Sequence, residues 1–286
     1  YTLGAEGNLS CLDAATGRVK WSREIAKDTD APLPMWGFSS SPLVAGDVVV
    51  TFAGGKNDRG LVAYGIADGT PAWHAATGPI SYSSAQPLAF DGQTQVVFMS
   101  DAGLIAVEPS SGKLLWQYEA PGRGVWRATQ PAALGADRVL FGSEDLGTVC
   151  LEVRRDGDQW KATKRWSSKS LRPAYNDFVL YDGTAYGFDG GIFGAIDVQT
   201  GKRRWKGGRY GHGQVLLLAD QGLLLVSAES GEVAILSATP EKHRELARFQ
   251  AIEGKTWNHP AMAHGCLYLR NDQEIACFRL ASNSSR

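Results

Sequence analysis

Hydrophobic and polar positions alternate over short stretches along the whole chain, and the stretches are separated by Gly, Asp and Ser. Between residues 82 and 120, apolar runs are separated by turns at Asp91-Gly92, Asp101-Ala-Gly103 and Ser110-Ser-Gly112. A period of two is typical of strands with one buried face, and these turn residues tolerate positive φ. No long stretch has helical periodicity. The pattern therefore predicts an all-β chain of short strands joined by tight turns.

A tryptophan four residues after a glycine recurs at intervals of about 40 to 50 residues, which is the spacing of propeller blades. The best copies are Asp13-Ala-Ala-Thr-Gly-Arg-Val-Lys-Trp21 and Asp197-Val-Gln-Thr-Gly-Lys-Arg-Arg-Trp205. Further copies end at Trp73, Trp116 and, with a longer insertion, Trp166. A solenoid repeat would be shorter, so the interval favours a closed array of β-blades.

This motif, preceded by a strand of small residues with Ser-Pro, resembles the PQQ-like β-propeller repeat, in particular its non-catalytic, BamB-like branch. The resemblance covers the whole chain at the level of the repeat. It implies that each tryptophan docks between blades and that each Thr-Gly turn meets the next blade. Members of this kind usually carry an export signal, so the resemblance also implies an exported or periplasmic protein.

Counting strands within each repeat predicts one domain over residues 1–286, a seven-bladed propeller of four-stranded blades. The first segment lacks an innermost strand and the last lacks an outermost strand. We therefore expect a chain shortened at its N-terminus by about two strands, because both missing strands would precede Tyr1 in a closed propeller. The predicted blades are approximately 1–25, 38–76, 82–120, 126–169, 173–207, 210–252 and 256–281.

Charge and composition narrow the class of protein further. The 286 residues carry 29 basic and 30 acidic side chains, a net charge of −1, which argues against a broadly basic nucleic-acid surface. Hydrophobic residues make up 43%, enough for a sizeable core, yet no apolar run approaches the length of a membrane span. We expect a protein partner, no nucleic acid and no transmembrane segment in this chain.

Candidate binding residues follow the aromatic that opens each predicted innermost strand. Because equal positions in a radial repeat form a ring, we expect them to meet at one mouth of the channel. Arg127 is the only cation of the set and favours a small anionic ligand, unless Asp177 neutralises it in a structural ion pair. The same segments also fit a purely structural role, since inner strands need small residues. The set is Ser40, Ser84, Arg127, Asn176, Asp177, His212, Asn258 and His259.

Three functions remain open on these observations. The first is a non-enzymatic binding or assembly scaffold without a cofactor. The second, implied by the resemblance, is a quinoprotein dehydrogenase that uses pyrroloquinoline quinone and calcium, with Asn176-Asp177 as a possible calcium and base pair. The third is a binder of a small polar ligand, sugar or peptide at the channel mouth. The chain lacks the adjacent cysteines that the resemblance associates with many of those dehydrogenases.

The four cysteines do not form a disulfide framework or a C-x-x-C site. Cys11 and Cys150 are expected to be buried free thiols in strands. Cys266 and Cys277 flank Asn271-Asp272, and a hairpin centred on that pair places the two cysteines directly opposite each other, within reach of a disulfide.

Overall fold

The computed structural model describes residues 1–122 and 126–280. Twenty-six strands form seven antiparallel sheets, and each sheet is a meander in which strands consecutive in sequence pair. The chain divides into two compact units, Tyr1–Ser167 and a second unit that begins at Ser168. The first unit contains blades 1 to 4 and the second contains blades 5 to 7.

The first unit has one three-stranded and three four-stranded blades. In chain order the strands are β1 (Thr2–Leu3), β2 (Asn8–Leu12), β3 (Val19–Glu24), β4 (Leu43–Ala45), β5 (Val48–Phe52), β6 (Leu61–Gly65), β7 (Pro71–Ala75), β8 (Gln86–Phe90), β9 (Gln93–Ser100), β10 (Gly103–Val107), β11 (Leu114–Glu119), β12 (Ala132–Leu134), β13 (Arg138–Ser143), β14 (Gly147–Asp156) and β15 (Gln159–Ser168). The central strands β5 and β10 are buried at every residue, as expected for strands covered on both faces.

The second unit has two four-stranded blades followed by a three-stranded one. The burial pattern repeats, with buried second and third strands and a more exposed outer strand. Its strands are β16 (Val179–Tyr181), β17 (Thr184–Asp189), β18 (Ile192–Asp197), β19 (Arg203–Arg209), β20 (Gln214–Leu218), β21 (Leu223–Ser227), β22 (Glu232–Ser237), β23 (Glu245–Gln250), β24 (Ala261–Ala263), β25 (Cys266–Arg270) and β26 (Ile275–Arg279).

The fold class is the predicted all-β, seven-bladed propeller. The two three-stranded blades are also the predicted ones, since β1–β3 form blade 1 and β24–β26 form blade 7. The final residue of the predicted seventh blade, Ala281, lies outside the described residues. Within the described part of the chain, no helix has the length and apolar character needed to cross a membrane.

The repeat motif is explained by contacts at both of its ends. Asp13 Oδ1 accepts hydrogen bonds from the Thr16 N–H and hydroxyl, at 3.0 and 2.8 Å, which closes the turn. At the other end, Trp21 Nε1 donates to the Ile66 carbonyl of the next blade at 3.0 Å. A Cβ on Gly69 would lie 2.7 Å from the Trp21 ring, so the next blade's turn glycine makes room for the indole. Glycine and tryptophan therefore recur together because they meet across neighbouring blades.

The segment that joins β3 to β4 contains the only α-helix of the described residues, α1 (Ile25–Thr29). Thr29 donates its hydroxyl to the Ile25 carbonyl at 2.7 Å. Asp28 accepts from the Tyr64 hydroxyl at 3.0 Å, and the Arg23 guanidinium lies 2.8 Å from the same carboxylate. These tertiary contacts hold a turn of helix that propensity alone does not maintain at this length.

The segments predicted to begin the innermost strands precede those strands instead. β8 begins at Gln86 rather than at Tyr82, and β12 begins at Ala132 rather than at Trp126. Among the described residues, these segments do not pair with the second strand of their own blade. They form hydrogen bonds with the corresponding segment of the next blade instead, and Tyr82 N–H donates to the Arg127 carbonyl at 2.7 Å. Serine and threonine hydroxyls in these segments bond to main-chain carbonyls, which competes with regular pairing.

The prediction that Cys266 and Cys277 lie directly opposite each other is wrong. Cys266 pairs with Arg279 and Cys277 with Tyr268, and both thiols are free. The hairpin is centred one residue later than expected, because Asn271 closes the turn by accepting the N–H groups of residues 273 and 274. Cys11 and Cys150 are buried free thiols in β2 and β14, as predicted.

Candidate functional site

The predicted site residues lie in the segments that precede the innermost strands, which we call opening segments. In the first unit, the opening segments of blades 2 to 4 are joined in sequence order by hydrogen bonds. Ser41 N–H donates to Ser84 Oγ at 2.8 Å, and Ser83 Oγ donates to the Thr129 carbonyl at 2.7 Å. The structure thus brings together the segments that carry Ser40, Ser84 and Arg127.

Ser40 and Ser84 are both buried, at 4% and 7% exposure. Ser84 uses its hydroxyl to accept the neighbouring segment's N–H group. Ser40 Oγ has no hydrogen-bond partner among the described residues. Burial leaves Ser84 in a structural role, and Ser40 keeps an open hydrogen-bonding position that a water molecule would satisfy.

Arg127 is fully buried, and its guanidinium meets partners from its own blade and from the end of the preceding blade. It forms an ion pair with Asp145 and donates to Ser143 Oγ at 2.7 Å and to the Ala120 carbonyl at 3.2 Å. Burial raises the pKa of Asp145, but the Arg127 and Ser143 hydrogen bonds outweigh it and lower that pKa to about 2. Arg127 therefore forms a structural ion pair, which was the expected alternative to an anion site. Its partner is Asp145 rather than Asp177.

Above the buried network, the first unit exposes an aromatic cluster. The Trp36 ring lies 5.5 Å from that of Tyr82 and 4.7 Å from that of Trp126, measured between centroids, at tilted to perpendicular angles. Tyr82 and Trp126 are themselves in edge contact at 5.8 Å. Such geometry is favourable for aromatic rings. With Met35 and Ile80 these three residues form a surface that we call the apolar rim.

In the second unit, Asp177 and His259 come together from the opening segments of blades 5 and 7. His259 Nε2 lies 3.5 Å from Asp177 Oδ2. Asn176 is fully buried, and its Oδ1 accepts the Ala174 N–H at 2.9 Å. Asn258 is half-buried, and its N–H donates to the Thr256 hydroxyl at 3.3 Å. The contact between Asp177 and His259 joins two members of the predicted set, and the eight-residue ligand site stays a prediction.

His212 belongs to an aromatic group that corresponds to the cluster in the first unit. The ring of Tyr175 lies 5.1 Å from that of His212 and 4.7 Å from that of Trp257. The Gln214 amide ties the group together by donating to the carbonyls of Tyr175 and Trp257, at 3.1 and 3.0 Å. Asn176 Nδ2 and His212 Nδ1 are buried without a partner among the described residues.

Two charged residues complete this group in the second unit. Lys255 Nζ lies 3.7 Å from the centre of the Trp257 ring and 3.4 Å from Glu229 Oε1. Glu229 also accepts the Trp257 Nε1–H at 2.9 Å and the His212 main-chain N–H at 3.0 Å. Partial burial raises the pKa of Glu229, but these donors outweigh it and lower the pKa overall.

Sequence reasoning missed several residues that organise both regions. The candidate residues were selected because they follow the aromatic that opens each innermost strand. Asp145 and Glu229 follow the second strand of their blades instead, so this selection does not include them. Trp36 precedes the predicted second blade, 38–76, so a rule based on positions within blades does not select it. A carboxylate within a few residues of each second strand's end is the signal that would have found Asp145, Glu229 and Asp101.

Comparison with known proteins places this geometry in a family. Residues 1–207 match the family described as outer membrane protein assembly factor BamB. The chain belongs to the BamB family. Over 243 residues it is 26% identical to the outer membrane protein assembly factor BamB of Burkholderia pseudomallei (strain K96243), which covers 72% of this chain. The match spans 62% of that relative's length.

Solved structures agree with this BamB family fold. BamB from Moraxella catarrhalis superposes with a TM-score of 0.70 at 18% identity, covering 96% of this chain and 78% of that one. The quinohemoprotein alcohol dehydrogenase from Comamonas testosteroni matches at a TM-score of 0.53 and 12% identity, over 82% of this chain and 51% of that one. At these identities the likeness shows the fold alone.

The two residues proposed as the calcium and base pair of the quinoprotein alternative are in contact with other groups of the protein. Asn176 is buried with its Oδ1 engaged by a main-chain N–H, and Asp177 lies against the His259 imidazole. Within residues 1–122 and 126–280, no three His, Cys, Asp or Glu side chains group closely enough to hold a metal ion. We therefore derive no chemical step through that cofactor.

Proposed function

We propose that this chain is a non-enzymatic, protein-binding scaffold that serves outer membrane protein assembly in an exported compartment. Membership of the BamB family supports the process and the compartment. The observation that carries protein binding is the apolar rim, where Met35 is 74% exposed and Trp36 is 59% exposed. Contiguous exposed apolar side chains on a soluble domain mark interaction surfaces.

The buried polar residues support a scaffold rather than a catalyst. Arg127 and Asp145 satisfy each other, and Asp189 lies between Arg172 and Lys206. A catalytic acid or base needs access to a substrate atom, whereas these charges are held by internal partners. Rigid, internally paired blades that present an exposed apolar surface suit a protein that positions other proteins.

A cell assay tests this proposal. Cells whose own copy carries Trp36→Asp should assemble fewer outer-membrane β-barrel proteins, since a charge in the rim opposes apolar contact. The measurement is the amount of heat-modifiable, folded barrel protein in isolated outer membranes. Val19 is the matched control because it is 61% exposed on β3, an outer strand of the same unit.

Two results of this assay would contradict the proposal or its assignment to the apolar rim. Normal barrel assembly in the Trp36→Asp cells, at an unchanged level of the protein, would contradict the proposal. An equal defect with Val19→Asp would contradict the assignment to the rim. Fractionation of the same cells tests the compartment, and recovery with cytoplasmic markers would count against export.

The absence of a cofactor is part of the proposal and has its own test. Pyrroloquinoline quinone and Ca²⁺ are added to the purified protein, and the quinone absorbance and tryptophan fluorescence are followed. We expect no saturable change and no reduction of an artificial electron acceptor by alcohols. Stoichiometric binding together with dye reduction would favour the dehydrogenase alternative.

A further inference from the structure

The apolar rim surrounds a cavity as well as presenting a surface. A space of about 240 Å³ lies beneath it, lined by Pro32, Pro34, Met35, Ile80, Tyr82 and Trp126. Phe52 and Ala53, both buried, contribute to the same wall. An apolar lining of this kind accepts an apolar group, and the volume is that of a single large side chain. The rim therefore has the shape of a pocket for one anchoring residue of a partner.

Negative charge borders this pocket. Asp101 Oδ1 accepts the Ile80 main-chain N–H at 3.0 Å, which places the carboxylate beside a pocket residue. A second cavity of about 360 Å³ is lined by Gly78, which lies two residues before Ile80, and by Ala102 and Glu119. In the described part of the chain, neither Asp101 nor Glu119 has a basic side chain within ion-pair distance. The surface around the rim therefore carries negative charge.

The second unit shows how this repeat satisfies such a carboxylate internally. Glu229 Oε2 accepts the His212 N–H at 3.0 Å, just as Asp101 accepts the Ile80 N–H in its own blade. Lys255 then lies over Trp257 and pairs with Glu229. In the first unit, no described cation lies over Trp36 or Trp126. The position that Lys255 fills in one unit has no described counterpart in the other.

We propose that the apolar rim binds an extended segment of a partner protein in which a lysine or arginine neighbours a large apolar side chain. The apolar side chain enters the cavity beneath Met35 and Trp126, and the cation lies against the exposed aromatic faces and Asp101. Cation–π attraction and the carboxylate act together in this arrangement, as Lys255 and Glu229 do at Trp257. This inference rests on the proposed scaffold function and names the chemistry of its partner.

Short fluorescein-labelled peptides test the chemistry directly, with fluorescence anisotropy as the readout. The basic peptide alternates Phe and Lys between Gly-Ser ends. A second replaces each Lys by Glu, and a third replaces each Phe by Ser. We expect the basic apolar peptide to bind at least roughly tenfold more tightly than either of the others, and its affinity to fall as salt is added.

Variants of the protein locate the binding. Trp36→Ala should weaken binding of the basic apolar peptide by roughly tenfold or more, the size of a hot-spot loss. Asp101→Asn keeps an oxygen for the Ile80 N–H and should lower affinity several-fold while reducing the salt dependence. Val19→Ala and Glu229→Gln are matched controls, because they change an exposed apolar side chain and a carboxylate that are not part of the apolar rim.

Each remaining outcome has a definite meaning. Equal binding of the Glu peptide, unchanged binding by Trp36→Ala, or no binding of the basic peptide at millimolar concentration would overturn the inference. If barrel assembly still fails in Trp36→Asp cells, the scaffold function stands and only the partner chemistry is lost. If those cells assemble barrels normally, the proposed function fails whatever the peptides do.

Discussion

Trp126 and Trp257 hold corresponding places in the repeat, each in the opening segment before an innermost strand, yet their surroundings differ. Trp257 donates its Nε1–H to Glu229 and carries Lys255 over its ring. Trp126 packs against Trp36 and Tyr82 and has no charged partner among the described residues. In the second unit a lysine and a glutamate therefore complete the surroundings of the tryptophan, whereas among the described residues of the first unit only aromatic rings contact Trp126.

The difference lies beneath the surface as well. Under the rim of the first unit, the charge pair is buried, since Arg127 is 0% exposed and Asp145 closes over it. In the second unit the Lys255–Glu229 pair remains largely in solvent. The ion pair beneath the aromatic residues is therefore buried in the first unit, whereas the ion pair beside Trp257 in the second unit is partly exposed. The predictions below test that contrast, beginning with the largest effect.

Removing a carboxylate should destabilise the first unit far more than the second. Asp145→Ala leaves the Arg127 charge buried without its partner, and we expect a loss of about 3–5 kcal/mol in the free energy of unfolding. Glu229→Ala should cost about 1 kcal/mol, because water replaces its contacts to the exposed Lys255. Urea unfolding followed by circular dichroism measures both. Equal losses would erase the contrast.

Acid should lower the free energy of unfolding by protonating Asp145 in the same buried ion pair. Because the pKa of Asp145 is about 2 in the folded protein, below its ordinary value, its contribution is present above about pH 4. That contribution, about 2 kcal/mol, is lost as the pH falls toward 2. In Asp145→Asn the decline in unfolding free energy over this range should be shallower by a similar amount. Parallel pH profiles for the two proteins would show that another group dominates.

Replacing the two exposed tryptophans should give opposite patterns of stability and binding. Trp257→Ala removes the Glu229 hydrogen bond, the Lys255 contact and the Tyr175 ring contact, at an expected cost of about 1–2 kcal/mol. Trp36→Ala loses only ring packing and should cost about 1 kcal/mol or less. Peptide binding should instead fall for Trp36→Ala and persist for Trp257→Ala. The reverse pattern would transfer the partner surface to the second unit.

Thiol labelling gives the smallest and simplest contrast between the units. Cys11 and Cys150 in the first unit are buried, and burial raises the pKa of the Cys150 thiol to about 11. In the second unit Cys266 is buried and Cys277 is exposed. A maleimide should label Cys277 rapidly and the other three thiols only after unfolding, as mass spectrometry can count. Rapid labelling of Cys150 would argue against its burial.

Predictions from sequence were accurate where a few neighbouring residues decide the structure. The Asp-x-x-Thr-Gly turn is closed by its own side chains, so its conformation follows from composition and spacing. The same local rule failed at Cys266 and Cys277, because the choice between turn centres one residue apart depends on how Asn271 bonds. A shift of that size changes every pair in the hairpin.

The sequence by itself determined the all-β class, the number of blades, the Asp-x-x-Thr-Gly turns and the segments in which the candidate residues lie. Tertiary structure alone decided that Asp145 pairs with Arg127, that Lys255 covers Trp257 and that Trp126 packs against Trp36. The physical reason is the separation along the chain of the residues that take part in each kind of interaction. Strand periodicity and turn chemistry act between residues close in sequence, whereas ion pairs and aromatic contacts depend on distances of a few ångströms between segments far apart along the chain.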